Sequence, residues 1–175
     1  MEKFTIVTRF DDQSKQIGDK IKQVLQSHQY EYSQESPNTV FVVGGDGTYI
    51  KAIHDYMERI PDVKFLGLHT GTLGFFTDYH DNEVDELLKM YLSGKYEISE
   101  YPLLVTEVNG NVYHAVNEIR VENIARTQIL DVHLSDEYLE TFRGTGMCVC
   151  TQLGSTAYNR SLGGAVIQEG LDLIE

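Results

Sequence analysis

Hydrophobic and polar positions follow two rhythms along this chain. In the first half, short apolar runs are separated by stretches whose apolar residues recur every three or four positions. KFTIVTR (residues 3–9) reads as a strand. After it, Ile17, Ile21, Val24, Leu25 and His28 fall at helical spacing, with Asp12 and Ser14 as caps. NTVFVV (residues 38–43) is apolar on both faces, the pattern of an interior strand in a covered parallel sheet. Tyr49, Ile50, Ile53, Tyr56 and Met57 give a second amphipathic helix. VKFLGL (residues 63–68) gives a third strand, and Val84, Leu87, Leu88 and Tyr91 a third helix. Strand and helix alternate, which predicts an α/β domain with a parallel sheet and right-handed crossovers over residues 1–97.

Beyond residue 97 the pattern shortens toward period two. YPLLVTEV, Asn109-Gly110 and NVYHAVNEIRVEN read as a β-hairpin closed by a tight primed turn. TQILDVHLSDEYLETFRGTGMCVCTQ continues with short strands, and STAYNRSLGGAVI has the spacing of a short helix. Residues 98–175 are therefore predicted to be a β-rich, mainly antiparallel domain. The boundary at SGKYEISEYP is a shift in composition rather than a linker, and no internal repeat or low-complexity segment is present.

Composition narrows the function. The 175 residues suffice for one good core or two small domains. No stretch approaches the roughly 20 apolar residues of a membrane span, and MEKFTIVTRFDDQ lacks the apolar core of a signal peptide. A cytoplasmic protein with no membrane partner is expected. The net charge is −13, with 10 basic and 16 acidic side chains in residues 1–97 and 4 and 11 in residues 98–175. Without a basic tract, nucleic acid is excluded as a partner. The acidic balance reads as a solvated surface, although an enzyme handling polyanions with this charge needs local cations, usually a divalent metal. Cys148 and Cys150, two apart on a strand, share a face as small core residues. Two ligands are too few for structural zinc, and a disulfide is out of place in a reducing compartment.

Four stretches can carry chemistry. GGDGT (residues 44–48) follows an interior strand and opens a helix. Gly44 and Gly45 let backbone approach a ligand with its N–H groups outward, and the helix start favours phosphate. The loop is neither a Walker A nor a G-x-G-x-x-G sequence. Its Asp46 is either a helix cap or a group that addresses what the loop holds. GLHTGTLGFF (residues 67–76) again follows a strand, with Thr70 and Thr72 as polar groups. Phe75 and Phe76 are core residues by default, or an aromatic surface for a flat base. Both loops lie where open parallel sheets place ligands, at the carboxyl ends of strands.

Asn117-Glu118 is the third stretch. Neighbours on a regular strand face opposite ways, so a shared ligand requires the strand to end or bulge there. An amide beside a carboxylate suits paired ribose hydroxyls; the alternative is a surface pair. In the fourth, GSTAYNRSLGG (residues 154–164), Gly154, Ser155 and Thr156 read as a turn and cap. Ala157, Tyr158 and Ser161 then share one helix face, to hold an adenine edge or to pack.

In this order and spacing the four stretches resemble the NAD kinases, over nearly the whole chain and most specifically in LGFF, the Asn-Glu pair and GSTAYxxSxGG. His69, where many members have asparagine, is similar to the shorter enzymes of Gram-positive bacteria. The resemblance implies transfer of a phosphoryl group from ATP or polyphosphate to the 2′-hydroxyl of the adenosine ribose of NAD. A divalent cation, Mg2+, would assist, and a homodimer or homotetramer is expected. It implies a phosphate-donor-binding domain over residues 1–97 and an NAD-binding domain over residues 98–175. Asp46 matches the catalytic acid–base group; Gly45, Gly47 and Thr48 match the phosphate loop. Phe75 matches the residue beside adenine, and Asn117 and Glu118 those holding ribose hydroxyls. Thr156, Ala157, Tyr158 and Ser161 complete the adenosine pocket. A carboxylate beside a phosphate loop is then intelligible, since phosphoryl transfer needs a group to orient the attacking hydroxyl and accept its proton.

Three departures from the family pattern stand out. Thr145 replaces the aspartate of Gly-Asp-Gly, and Gln152 and Leu153 replace proline and a small hydroxyl residue. Members also continue beyond the fourth stretch, so the second domain is expected to lack the family's C-terminal third. A different class of function, a non-catalytic nucleotide-binding or assembly module on the same scaffold, stands as the alternative.

Overall fold

The computed structural model describes residues 2–71 and 74–175, and the chain divides into two units, Met1–Ile98 and Ser99–Glu175. The first is built on β1 (Lys3–Thr8), β2 (Glu31–Tyr32), β3 (Thr39–Val43), β4 (Lys64–His69) and β5 (Tyr79–His80), a parallel sheet in the order β2-β1-β3-β4-β5. All five residues of β3 are buried, as its two-faced apolar pattern requires. Phe41 and Val43 join a core with Phe4, Ile21, Leu25, Leu68 and Leu87, while Val40 and Val42 join a second core with Ala52 and Val63. Alternate side chains of one strand thus fill opposite layers. Helices α1 (Asp12–Ser27) and α3 (Val84–Ser93) contribute to the first core and α2 (Asp46–Asp55) to the second.

Three details differ from expectation. The cap of α1 is Asp11, not Asp12 or Ser14. Its extended backbone lets the carboxylate accept the Ser14 N–H at 2.8 Å and the Ser14 hydroxyl at 2.8 Å. Helix α2 stops at Asp55, so Tyr56 caps it and Met57 begins a separate 3-10 turn, with Pro61 unable to prolong either. The two-residue strands β2 and β5 are too short to show a period.

The second unit pairs its strands antiparallel in twos: β6 (Leu104–Val108) with β7 (Asn111–Ala115), β8 (Glu118–Glu122) with β11 (Gly146–Cys150), and β9 (Gln128–Leu134) with β10 (Glu137–Gly144). The first hairpin turns through Asn109 and Gly110, at φ 52° and 79°, the left-handed pair a primed turn requires. Ser135 and Asp136 close β9 onto β10 in the same way, at φ 51° and 67°. NVYHAVNEIRVEN is not one strand, because the chain bends at Val116 and Asn117 and β8 leaves to pair with β11. Leu153–Thr156 form a 3-10 turn and Tyr158–Ser161 one helical turn, α4. Both thiols are free; Cys150 is buried, Cys148 half-buried, and burial pushes both above the usual thiol range. Among the described residues no helix is long and apolar enough to cross a membrane.

Candidate functional site

In the first unit, the ends of β3 and β4 deliver two loops side by side. Gly44 N–H donates to the Leu68 carbonyl at 2.9 Å, and Thr70 N–H to the Gly44 carbonyl at 3.3 Å, so the ladder continues past the strands. Gly44 lies beneath Thr48, whose side chain occupies the place a Cβ would take. Gly45, with extended backbone, precedes α2, and a Cβ on Gly45 or Gly47 would meet nothing within 4 Å. The surface above this loop is open, and the first N–H groups of a helix have no partners within it.

Asp46 is the first residue of α2 and does not cap it. Instead its carboxylate crosses to the neighbouring loop. The Phe75 N–H donates to both oxygens at 3.0 Å, and the Phe76 N–H to Oδ1 at 3.2 Å. Gly74 makes this approach possible, since a Cβ there would collide with Asp46 Oδ1. A carboxylate offers about four acceptor positions. Two of these three contacts fall on Oδ1, leaving Oδ2 the less used oxygen.

The two phenylalanines part company. Phe76 stacks on Tyr49 with ring centroids 5.5 Å apart, whereas Phe75 is 70% exposed and is no core residue. With successive amides aimed at Asp46, one ring turns inward and its neighbour outward. Thr70 is buried against Ser14, its hydroxyl 2.8 Å from Ser14 Oγ, and its carbonyl accepts from Arg9 Nη1 at 3.0 Å. Thr72 lies outside the described residues. His69 is 2% exposed, its Nδ1 lies 3.2 Å from the Gly71 carbonyl, and its Nε2 finds no partner among the described residues. No group of three or more His, Cys, Asp or Glu suited to a metal occurs among the described residues.

In the second unit the bend at Val116–Asn117 answers the strand problem. Because β7 ends before it and β8 starts after it, Asn117 and Glu118 are not consecutive residues of one strand. Asn117 Oδ1 and Glu118 Oε2 are both buried without a hydrogen-bond partner among the described residues. Buried acceptors of this kind are rare and usually meet a ligand or ordered water. On the same face of β8 as Glu118, the Arg120 guanidinium lies 4.3 Å from the Tyr158 ring centre.

Tyr158 is 38% exposed and Ser161 exposed, and both belong to α4. Ala157 does not share their helical face: at φ −91° and ψ −126° it separates the 3-10 turn from α4. Nor do Gly154, Ser155 and Thr156 cap that helix. They are held backward, with Gly154 N–H donating to Thr151 Oγ1 at 3.0 Å, Ser155 Oγ to the Gln152 carbonyl at 2.6 Å and Thr156 Oγ1 to the Leu153 carbonyl at 3.3 Å. Asn159, which the periodicity did not single out, is 5% exposed and bonds the Ala165 carbonyl and Glu175. Thr145 offers its carbonyl to Asn123 N–H and Gln128 Nε2, and Gln152 is buried. The expected site residues therefore form two sets, one in each unit.

A family model described as the ATP-NAD kinase N-terminal domain matches residues 8–96. NAD kinase 1 of Bacillus cereus (strain ATCC 10987 / NRS 248) is 38% identical over 179 residues, which cover 99% of this chain and 68% of that protein. The chain belongs to the NAD kinase family. The NAD kinase of Pediococcus pentosaceus is 40% identical over 171 residues, covering 94% of this chain and 63% of its own. Among solved structures, yeast NADH kinase complexed with NADH superposes with a TM-score of 0.80 at 17% identity, over 99% of this chain and 64% of the other. An NAD kinase from Archaeoglobus fulgidus in complex with ATP gives 0.77 at 24%, over 98% of this chain and 70% of its own. These two likenesses establish the NAD-kinase fold: a five-stranded parallel α/β domain followed by small antiparallel sheets. The chain spans about two thirds of the length of these relatives.

Proposed function

We propose that this NAD kinase family member transfers a phosphoryl group from ATP, or polyphosphate, to the 2′-hydroxyl of the adenosine ribose of NAD, forming NADP. The observation that carries the reading is the Asp46 carboxylate, fixed by two backbone N–H groups beside an open glycine loop. In this reading residues 1–97 take the donor. Gly45, Gly47 and Thr48 lend backbone N–H groups and the helix start to its phosphates. Residues 98–175 take NAD, with Asn117 and Glu118 on ribose hydroxyls and Thr156, Ala157, Tyr158 and Ser161 around adenosine; Phe75, from residues 1–97, is assigned to the adenine.

Asp46 orients the 2′-hydroxyl and accepts its proton as the oxygen attacks the terminal phosphorus, and the bond to the leaving phosphate breaks. Immobilising the carboxylate beforehand removes the cost of arranging it at the moment of reaction. A magnesium ion bound with the donor would offset phosphate charge; such an ion needs only one or two protein carboxylates and takes its other ligands from phosphate and water. A homodimer or homotetramer is the expected assembly.

One observation favours a second reading. The carboxylate already serves two amides, so Asp46 also ties the two loops together, as it would in a nucleotide-binding module without turnover. Calorimetry with NAD, paired with a coupled assay for NADP formation from ATP, separates the two. Binding with turnover is the expected result, and binding without turnover selects the non-catalytic module.

A further inference from the structure

The bend that carries Asn117 and Glu118 and the turn that leads to Tyr158 are joined through one side chain, Thr151. This residue follows β11 and is 2% exposed. Its N–H donates to the Asn117 carbonyl at 2.9 Å. Its hydroxyl donates to the Val116 carbonyl at 2.7 Å, with the Asn117 carbonyl 3.3 Å away, and accepts the Gly154 N–H at 3.0 Å. Its carbonyl takes the Ser155 N–H at 2.9 Å. Gly154 lies so close that a Cβ there would collide with the Asn117 carbonyl. The two stretches therefore meet backbone to backbone, and among the described residues no other side chain is seen to bond both.

We propose that Thr151 is the positioning residue that sets the aim of the Asn117 and Glu118 side chains and the place of the turn leading to Tyr158. The inference rests on the reading that these stretches hold the adenosine half of NAD. Thr151 need not touch the nucleotide. Asn117 Oδ1 and Glu118 Oε2 stand buried and without a partner among the described residues, on the bend whose two carbonyls Thr151 holds, so their direction follows that backbone. Removing the hydroxyl leaves the Val116 carbonyl and the Gly154 N–H buried without it, so that only the Thr151 backbone still ties the bend to the turn and the aim of both loosens.

Thr151→Val keeps the branched shape and deletes the hydroxyl, whereas Thr151→Ser keeps the hydroxyl. The valine variant is expected to weaken NAD binding in calorimetry, and to raise the KM for NAD, by about tenfold or more. The KM for ATP should stay within about twofold, a split that general damage would not produce. The serine variant should stay within about threefold of wild type for NAD. Gly154 amide exchange, followed by NMR, should quicken in the valine variant alone. Should Thr151→Val fail to fold, Gly154→Ala probes the same junction and should show the same NAD-specific loss. The proposal is overturned if the valine variant binds NAD like wild type with its Gly154 amide still protected. It is equally overturned if both KM values rise together and serine restores neither. Wild-type protein that fails to bind NAD defeats the site reading instead, while the Gly154 exchange still tests the junction.

Discussion

Asp46 sits where a carboxylate should repel phosphate, and its surroundings show how the charge is kept in place. The amides of Phe75 and Phe76 hold it from the adjacent loop, and Gly74 leaves room for the approach. The glycines around Asp46 were legible as an open loop at a strand's end because their spacing is local. Its partners were not, since they lie 29 and 30 positions away and are backbone groups that any residue supplies. The exposure of Phe75 was one of two readings that the FF pair left open, since such a pair reads as core by default and as an aromatic surface otherwise. Gly74→Ala offers a direct check on the geometry. The added methyl must displace the carboxylate, and a misplacement of about 1 Å can cost on the order of a hundredfold. NADP formation should fall by about that factor while NAD affinity changes little; unaltered turnover would show that the Asp46–Phe75 contact is dispensable.

At the scale of elements, long periodic segments were readable and their ends were not. The spacing of Ile17, Ile21, Val24 and Leu25 marks α1, but Asp12 and Ser14 near its start were read as the caps and Asp11 was not. Backbone conformation chose Asp11. The Ser14 backbone N–H above all, then the Arg9 guanidinium and the Ser14 hydroxyl, hold the Asp11 carboxyl down to about 2, against an ordinary value of 3.8. A depressed carboxyl stabilises the fold at pH above its unfolded value and loses that contribution as pH falls toward its folded one. Asp11→Asn should therefore melt below wild type at neutral pH. The gap should close between about pH 4 and pH 2, as thermal melts across that range would record. A gap that persists at pH 2 would mean the charge on Asp11 is not what stabilises the cap. Similarly, NVYHAVNEIRVEN reads as continuous strand, and only the pairing of β8 with β11 reveals the bend at Asn117.

Across the whole molecule, the buried apolar residues lie overwhelmingly in the first unit, with Val116 and Cys150 the buried hydrophobics of the second. The second unit exposes Val105, Val112, Ile129, Leu134, Tyr138 and Leu139 on its paired strands. Alternating strands and helices bury both faces of a central strand, which is why the α/β half was plain in the sequence. The β half declared its strands and its Asn-Gly turn, but which strand pairs with which depends on contacts distant in sequence. Hydrogen exchange should separate the two: the slowest amides should belong to β1, β3 and β4, and those of β6, β7, β9 and β10 should exchange faster. Equal protection across both units would contradict this distribution of core.

If one fixed carboxylate serves the attacking ribose hydroxyl, Asp46→Asn should abolish that service, to be read in steady-state NADP formation with NAD affinity measured alongside. Turnover should fall by about a hundredfold or more, with NAD binding within a few-fold of wild type. A variant that turns over as fast as wild type would contradict it.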